Sequence, residues 1–255
     1  MVLGEIGYQS GEGRSRTELG LPGVQQELLE AIYKVNKNIV LVLNNGRPLV
    51  LNWHQEHLPA IVEAWQLGTQ SGNAIAQVLY GDYNPSGKLP MSFPRAVGQI
   101  PIYYNYKNTG RPSLPAPGRV FWSHYQDVEN TPLYPFGYGL SYTTFEYSNL
   151  QARVVSDTEV NVSVTLKNSG KFTGKEVVQL YIKDHSATVT RPVRELKGFE
   201  LVNLEPNESK EISFTLTEKE LGFYNNEGDF VLEPGDFSIF VGGDSTTKLV
   251  TKISL

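Results

Sequence analysis

The hydrophobic and polar positions change period partway along the chain. Residues 2–6 (VLGEI) read as the end of a strand. After Pro22, which suits a first helical turn, apolar residues Val24, Leu28, Ala31, Ile32 and Val35 recur at helical spacing. Residues 38–43 (NIVLVL) form a continuous apolar run, the pattern of a strand covered on both faces. An Asn45-Gly46 turn follows, then residues 48–51 (PLVL) and 60–65 (AIVEAW) read as further short strands. Residues 72–79 (GNAIAQVL) read as a helix closed by Gly81. Strand and helix in alternation predict an α/β domain with a parallel sheet. Such a domain should not begin in mid-strand, so it is expected to be the later part of a larger one.

From Gly81 the periodicity stops. Residues 81–142 are rich in Tyr, Pro and Gly and predict a long ordered excursion, a length that in compact domains usually accompanies function. Beyond residue 145 the pattern becomes alternation, over 161–166 (NVSVTL), 177–182 (VVQLYI), 211–216 (EISFTL) and 237–241 (FSIFV), and residues 248–253 (KLVTKI) read as a last strand. Turn signals such as Asn168-Ser169-Gly170 and Glu233-Pro234-Gly235 separate these runs. The expectation is an antiparallel sandwich of fibronectin type III kind, giving two domains, 1–142 and 143–255.

Composition narrows the function classes. Of 255 residues 40% are hydrophobic and the net charge is −5, which provides for a sizeable core and offers no basic stripe for nucleic acid. No apolar run approaches bilayer length, so no membrane partner is expected. Cysteine is absent, which excludes disulfides and thiolate metal sites within the chain. No basic segment followed by an apolar core marks a signal peptide.

Few motifs carry chemistry. Gly11-Glu12-Gly13 lacks the third glycine of a dinucleotide loop, since that place holds Arg16, and Gly87-Lys88 is followed by Leu89 rather than Ser or Thr. No cofactor is therefore expected. His54 and His57 have helical spacing, but no third metal ligand is evident, and surface histidines are the simpler reading. Glu12 remains. Its flanking glycines let the backbone approach a ligand, and a carboxylate after a parallel strand lies where α/β folds bind ligands. A lone glutamate is more often a solvated loop residue. Arg14 and Arg16 would contact substrate or hold Glu12 ionised, or else pair with Glu18 on the surface.

The stretches SGEGRSRTELGLPGVQQELL, VLVLNNGRPLVL, VEAWQLGTQSGNAIAQVLYGDYNPSGKLPMSFPRAVGQIPIYYNYKNTGRP and LYPFGYGLSYTTFEYS, in this order, resemble the C-terminal half of glycoside hydrolase family 3, of the bacterial periplasmic β-glucosidase type. The resemblance implies an N-terminal (β/α)8 barrel, then an α/β sandwich domain whose later part is here, then a fibronectin-like module. It implies that Glu12 is the general acid/base, that Arg14 and Arg16 rim the sugar pocket, and that the nucleophilic aspartate lies on a barrel segment absent from these residues. The implied partners are a β-linked oligosaccharide or glycoside and a barrel in cis or in trans. The implied compartment is periplasmic or secreted. An open sheet edge would favour a homodimer or a covering companion chain. The competing expectation is a truncated, non-catalytic binding or structural piece.

Overall fold

The computed structural model describes residues 1–5, 7–109 and 123–255, in two compact units. Ile6, expected to end the first strand, and the part of the Tyr/Pro/Gly-rich excursion over 110–122 lie outside the described residues.

The first unit holds Met1–Tyr83, Ser92–Ile102 and Tyr125–Tyr134. Its sheet has three parallel strands, β1 (Val2–Gly4), β2 (Val40–Asn44) and β3 (Ala60–Glu63), with β2 in the middle. Val2 pairs with Val42 and Leu41 with Ile61. The apolar run becomes the central strand because both faces are covered: Leu41, Val42 and Leu43 are buried. Helix α1 (Gln25–Val35) joins β1 to β2, and the Gln25 amide clips it to the strand by bonding both the N–H and the carbonyl of Gly4. Only Leu29 of α1 is buried, while Val24, Leu28 and Val35 of the helical-spacing set remain exposed. Helix α3 (Ser71–Tyr80) follows β3 and ends on Gly81, whose φ of 83° is the left-handed cap a glycine provides.

Two expectations are corrected in this unit. Residues 48–51 are not a strand. Leu49 and Leu51 are buried, which produces the alternation, but Val50 N–H bonds the Leu19 carbonyl rather than a strand, and the Leu51 carbonyl already accepts from Gln55 N–H of helix α2 (Asn52–His57). His54 is not a surface residue: it is 3% exposed, edge-on to Trp53, and neither ring nitrogen has a hydrogen-bond partner. His57 instead stacks on Trp53 at 4.5 Å between ring centroids. Among the described residues no cluster of three potential metal ligands occurs.

The second unit holds Asn84–Met91, the described part of Tyr103–His124, and Pro135–Leu255. Strands β4 (Phe145–Ser156), β5 (Glu159–Asn168) and β8 (Ser209–Thr217) form one antiparallel sheet, in that order. The other sheet runs β12–β11–β6–β7, from β6 (Gly174–Asp184), β7 (Glu195–Leu204), β11 (Asp236–Gly242) and β12 (Val250–Ser254). Alternate residues of both sheets (Val160, Val162, Val164, Leu180, Ile182, Ile239) meet in one core, the seven-stranded fibronectin type III-like arrangement. Strands β4 and β7 carry no clean alternation and escape a reading by period. A short helix α4 (Glu218–Leu221), with Thr217 and Glu220 as its capping box, leads to the two-stranded ribbon β9 (Phe223–Tyr224) and β10 (Phe230–Val231).

Proline-rich arms lie on this sandwich. Gly137 N–H bonds the Leu89 carbonyl and Leu89 N–H that of Tyr138, both at 2.8 Å. Lys88 reaches the nearly buried Glu176 at 3.0 Å, and the Tyr147 hydroxyl donates to the same carboxylate at 2.9 Å. Burial, together with the Glu176 charge, pushes the Tyr147 phenol far above its ordinary range. Tyr104 stacks on Phe136 at 4.2 Å and meets the fully buried Tyr181 edge-on.

His54 gives a pH signature. Burial depresses its imidazole from 6.5 to about 4, only partly opposed by the Glu30 charge. The unfolded chain therefore binds a proton that the folded one refuses, and stability is lost as pH falls from 6.5 towards 4. The loss should reach about 2–3 kcal/mol. His54→Leu is expected to flatten this limb of a denaturation series measured between these pH values, relative to the unsubstituted chain. Parallel curves for the two would show that His54 does not carry the effect.

Candidate functional site

The loop after β1 is shaped by glycines and held by arginine. Gly4, at the strand end, has φ +140°, and a β-carbon there would fall 2.0 Å from the Asn44 carbonyl oxygen, so only glycine lets β1 lie this close to β2. Glu5 follows, with its N–H on the Asn44 carbonyl at 2.9 Å. Further along, Arg14 N–H bonds the Gly11 carbonyl at 3.1 Å, which closes a four-residue turn. Glu12 occupies the second place of that turn and Gly13 the third, with φ +67°. Glu12 is exposed at the apex.

The Glu5 carboxylate is fully buried as a side chain and takes two guanidinium groups, Arg16 Nη1 at 2.6 Å and Arg47 Nε at 2.9 Å. Gly46 N–H adds a third donor at 3.3 Å. Burial pushes this carboxyl up, but the Arg16 and Gly46 hydrogen bonds and the Arg47 charge outweigh it and hold Glu5 below its ordinary value. Arg47 does more than pair with Glu5. Its Nη2 donates to the carbonyls of Gln9 at 2.9 Å and Arg14 at 2.8 Å, one on each side of the Glu12 apex.

A second carboxyl stands at the end of β3 with the opposite character. Burial pushes Glu63 up to about 7, against the pull of the Trp65 N–H and the Asn45 amide. One Glu63 oxygen accepts from Trp65 N–H at 3.0 Å, and the other is buried without a partner. Trp65 itself has a positive φ of 48°. Because the folded value is raised, the favourable contribution of Glu63 is complete below its unfolded value of 4.5 and is lost as pH rises through about 7. Gln66 then links this strand end to the loop through Ser10 Oγ at 3.4 Å.

Of the residues singled out in the sequence, Glu12 and Arg14 are exposed on the turn and its shoulder. Arg16 is half-buried and points to Glu5 and the Gly20 carbonyl, not to Glu18. Neither Glu5, read as part of the first strand, nor Arg47, just past the Asn45-Gly46 turn, stands out in the sequence. The available signal was position: Glu5 follows the strand-end Gly4 and Arg47 follows the turn glycine Gly46, each just beyond a parallel strand. Two hollows of about 300 and 420 Å³ in this unit, one against Asn52, Glu56 and Arg95 and one against Gln70, Asn73 and Asp82, do not include Glu12 in their linings. The chemistry available at the turn is that of an acid presented outward on a backbone fixed from both sides.

Residues 1–142 match the glycosyl hydrolase family 3 C-terminal domain, and residues 176–245 the fibronectin type III-like domain. The periplasmic β-glucosidase of Salmonella typhimurium is 48% identical over 247 residues, which cover 96% of this chain and 32% of that protein. A β-xylosidase of Formosa agariphila is 44% identical over 258 residues, 100% of this chain and 35% of that protein. The crystal structure of a β-glucosidase from Listeria innocua in complex with glucose superposes with a TM-score of 0.94 at 42% identity, covering 100% of this chain and 36% of its own. The chain thus spans about a third of the length of the curated relatives it matches. Among the described residues no helix is long and apolar enough to cross a membrane. With more than half of its length matching the C-terminal domain, and with that domain's sheet and the following sandwich both in place, the chain belongs to glycoside hydrolase family 3.

Proposed function

We propose that this chain is the acid/base-bearing part of a retaining β-glycosidase of β-glucosidase type, acting on terminal β-linked sugars with a barrel supplied in cis or in trans. The observation that carries the reading is Glu12: an outward carboxyl at the apex of a turn whose two shoulders are held by one arginine. A retaining glycosidase needs two carboxyl groups about 5–5.5 Å apart. In the first step an aspartate of the barrel attacks the anomeric carbon while Glu12 gives its proton to the departing glycosidic oxygen. In the second, Glu12 takes a proton from water, whose oxygen attacks the anomeric carbon and releases the aspartate. Packing the barrel against the turn would exclude bulk water from the reacting groups.

Arg14, exposed beside the turn, is the better placed of the two arginines to meet sugar hydroxyls. Arg16 keeps its guanidinium on Glu5, so its role is at the rim. The relatives' names and the glucose-bound structure support a β-glucoside as the substrate class, and the periplasmic relative supports a periplasmic or secreted setting. Residues 1–142 would provide this acid, and 143–255 would be a stabilising module.

The exposed apolar residues Val24, just before α1, and Leu28 and Val35 on it, and the outward edges of β1 and β3, are the surfaces we assign to the rest of such an enzyme. The 255-residue chain alone is therefore expected to associate in light scattering, as a dimer or larger, and adding a barrel-bearing segment should reduce that self-association. A monodisperse monomer would argue against this assignment.

An aryl β-glucoside tests the activity. The chain alone should give no turnover, and the chain with a barrel should give turnover. Hydrolysis by the chain alone would refute the placement of the nucleophile on the barrel, and none in either case would refute the enzyme reading. In the active assembly, Glu12→Gln should slow an alkyl β-glucoside by about 10²–10⁴-fold, the range of general acid/base catalysis. It should slow the glycosylation step of an activated dinitrophenyl glycoside far less, because that leaving group needs no proton. Equal slowing of both would rule out the acid role.

A further inference from the structure

The contacts around Glu12 are unequal in what they hold. Glu12 itself sits at the apex, exposed. The carbonyls on either side of it, of Gln9 and Arg14, converge on the same nitrogen, Nη2 of Arg47. The Nε of that guanidinium rests on Glu5, whose side chain is fully buried and also takes Arg16 and the Gly46 N–H. One planar fork therefore ties both shoulders of the turn to a carboxylate fixed at the end of β1. The neighbouring residue closes the arrangement: a β-carbon at Gly46 would lie 2.2 Å from Ser10 Oγ, so the loop packs onto that glycine with no room to drop. A loop that served only as a connection would have no need to be held at these two carbonyls by a single side chain.

We propose that Arg47, backed by Glu5, is a positioning residue for the Glu12 carboxyl. It touches no substrate. It fixes where the apex stands by holding main-chain oxygens on both sides, and the glycines on either side of Glu12 otherwise leave that segment free to move. The inference rests on the acid/base reading of Glu12. Misplacing a catalytic group by about 1 Å can cost about 10²-fold in rate, and the loss should fall on the step that needs proton transfer.

The test uses the active, barrel-containing assembly with three variants and two substrates. Arg47→Lys keeps a positive charge but offers one nitrogen where the guanidinium uses two, Nε on Glu5 and Nη2 on both carbonyls, so it cannot span the carboxylate and the carbonyls as the fork does. Gly46→Ala leaves every charge in place and pushes on Ser10. Glu12→Gln is the reference. Arg47→Lys and Gly46→Ala should each lower kcat on an alkyl β-glucoside about 10–100-fold with KM changed less than about threefold, while glycosylation by a dinitrophenyl β-glucoside changes by less than about threefold. Thermal melting establishes that each variant is folded, and because the two perturb the turn by unrelated means, one folded variant suffices. If Glu12→Gln discriminates between the substrates and the folded Arg47 or Gly46 variant slows both equally, or neither, the positioning role is overturned and the acid role stands. If Glu12→Gln itself does not discriminate, the acid role fails and the positioning role falls with it.

Discussion

The first unit is organised around a buried carboxylate. Glu5 leaves the sheet at the end of β1 with no exposed side-chain surface, and it is stable there because two guanidinium groups and a backbone N–H surround it. An isolated ion in that place would cost several kcal/mol, and removing one partner of a buried pair costs about 3–5 kcal/mol. The loop after β1, the turn after β2 and the segment leading to α1 all meet at this point, through Arg16, Gly46 and Arg47. The order of events in the sequence explains why. Parallel strands place their C-terminal ends side by side, so residues far apart in the chain, Glu5 and Arg47, arrive on the same edge.

The other edge strand shows how far environment sets charge. Glu5 follows β1 and Glu63 ends β3 of one three-stranded sheet, yet one is held below its ordinary value by cations and the other is pushed up to about 7 by burial. The sandwich unit handles its own buried charge differently. Glu176 is met by a lysine from the proline-rich arm and a tyrosine hydroxyl from β4, so the arm is attached to the sheet through an ion pair as well as through backbone bonds.

Much of this was legible in the chain. The continuous apolar run of residues 38–43 and the alternation of 161–166 named the central parallel strand and a sandwich strand, because in each case one physical condition, burial on two faces or on one, sets the period; residues 177–182 also read as alternating, but in β6 residues 178–182 are all buried, so that strand is covered on both faces. Residues 48–51 misled because Leu49 and Leu51 are buried without belonging to any sheet; the period reports burial, not hydrogen bonding. His54 misled for the reverse reason, a polar residue buried with its ring edge-on to Trp53. The glycine-flanked glutamate stood out by local sequence alone. Glu5 and Arg47 did not, since their importance comes from a contact across 42 residues that only the parallel sheet creates.

Arg47 grips carbonyl oxygens, and every amino acid supplies one. The identities of Gln9 and Arg14 are therefore not constrained by that grip, and side chains around the apex can be exchanged over evolutionary time without redrawing the path of the backbone. A scaffold of this type separates what is fixed, the path of the backbone beneath Glu12, from what is free to vary, the side chains carried on that path.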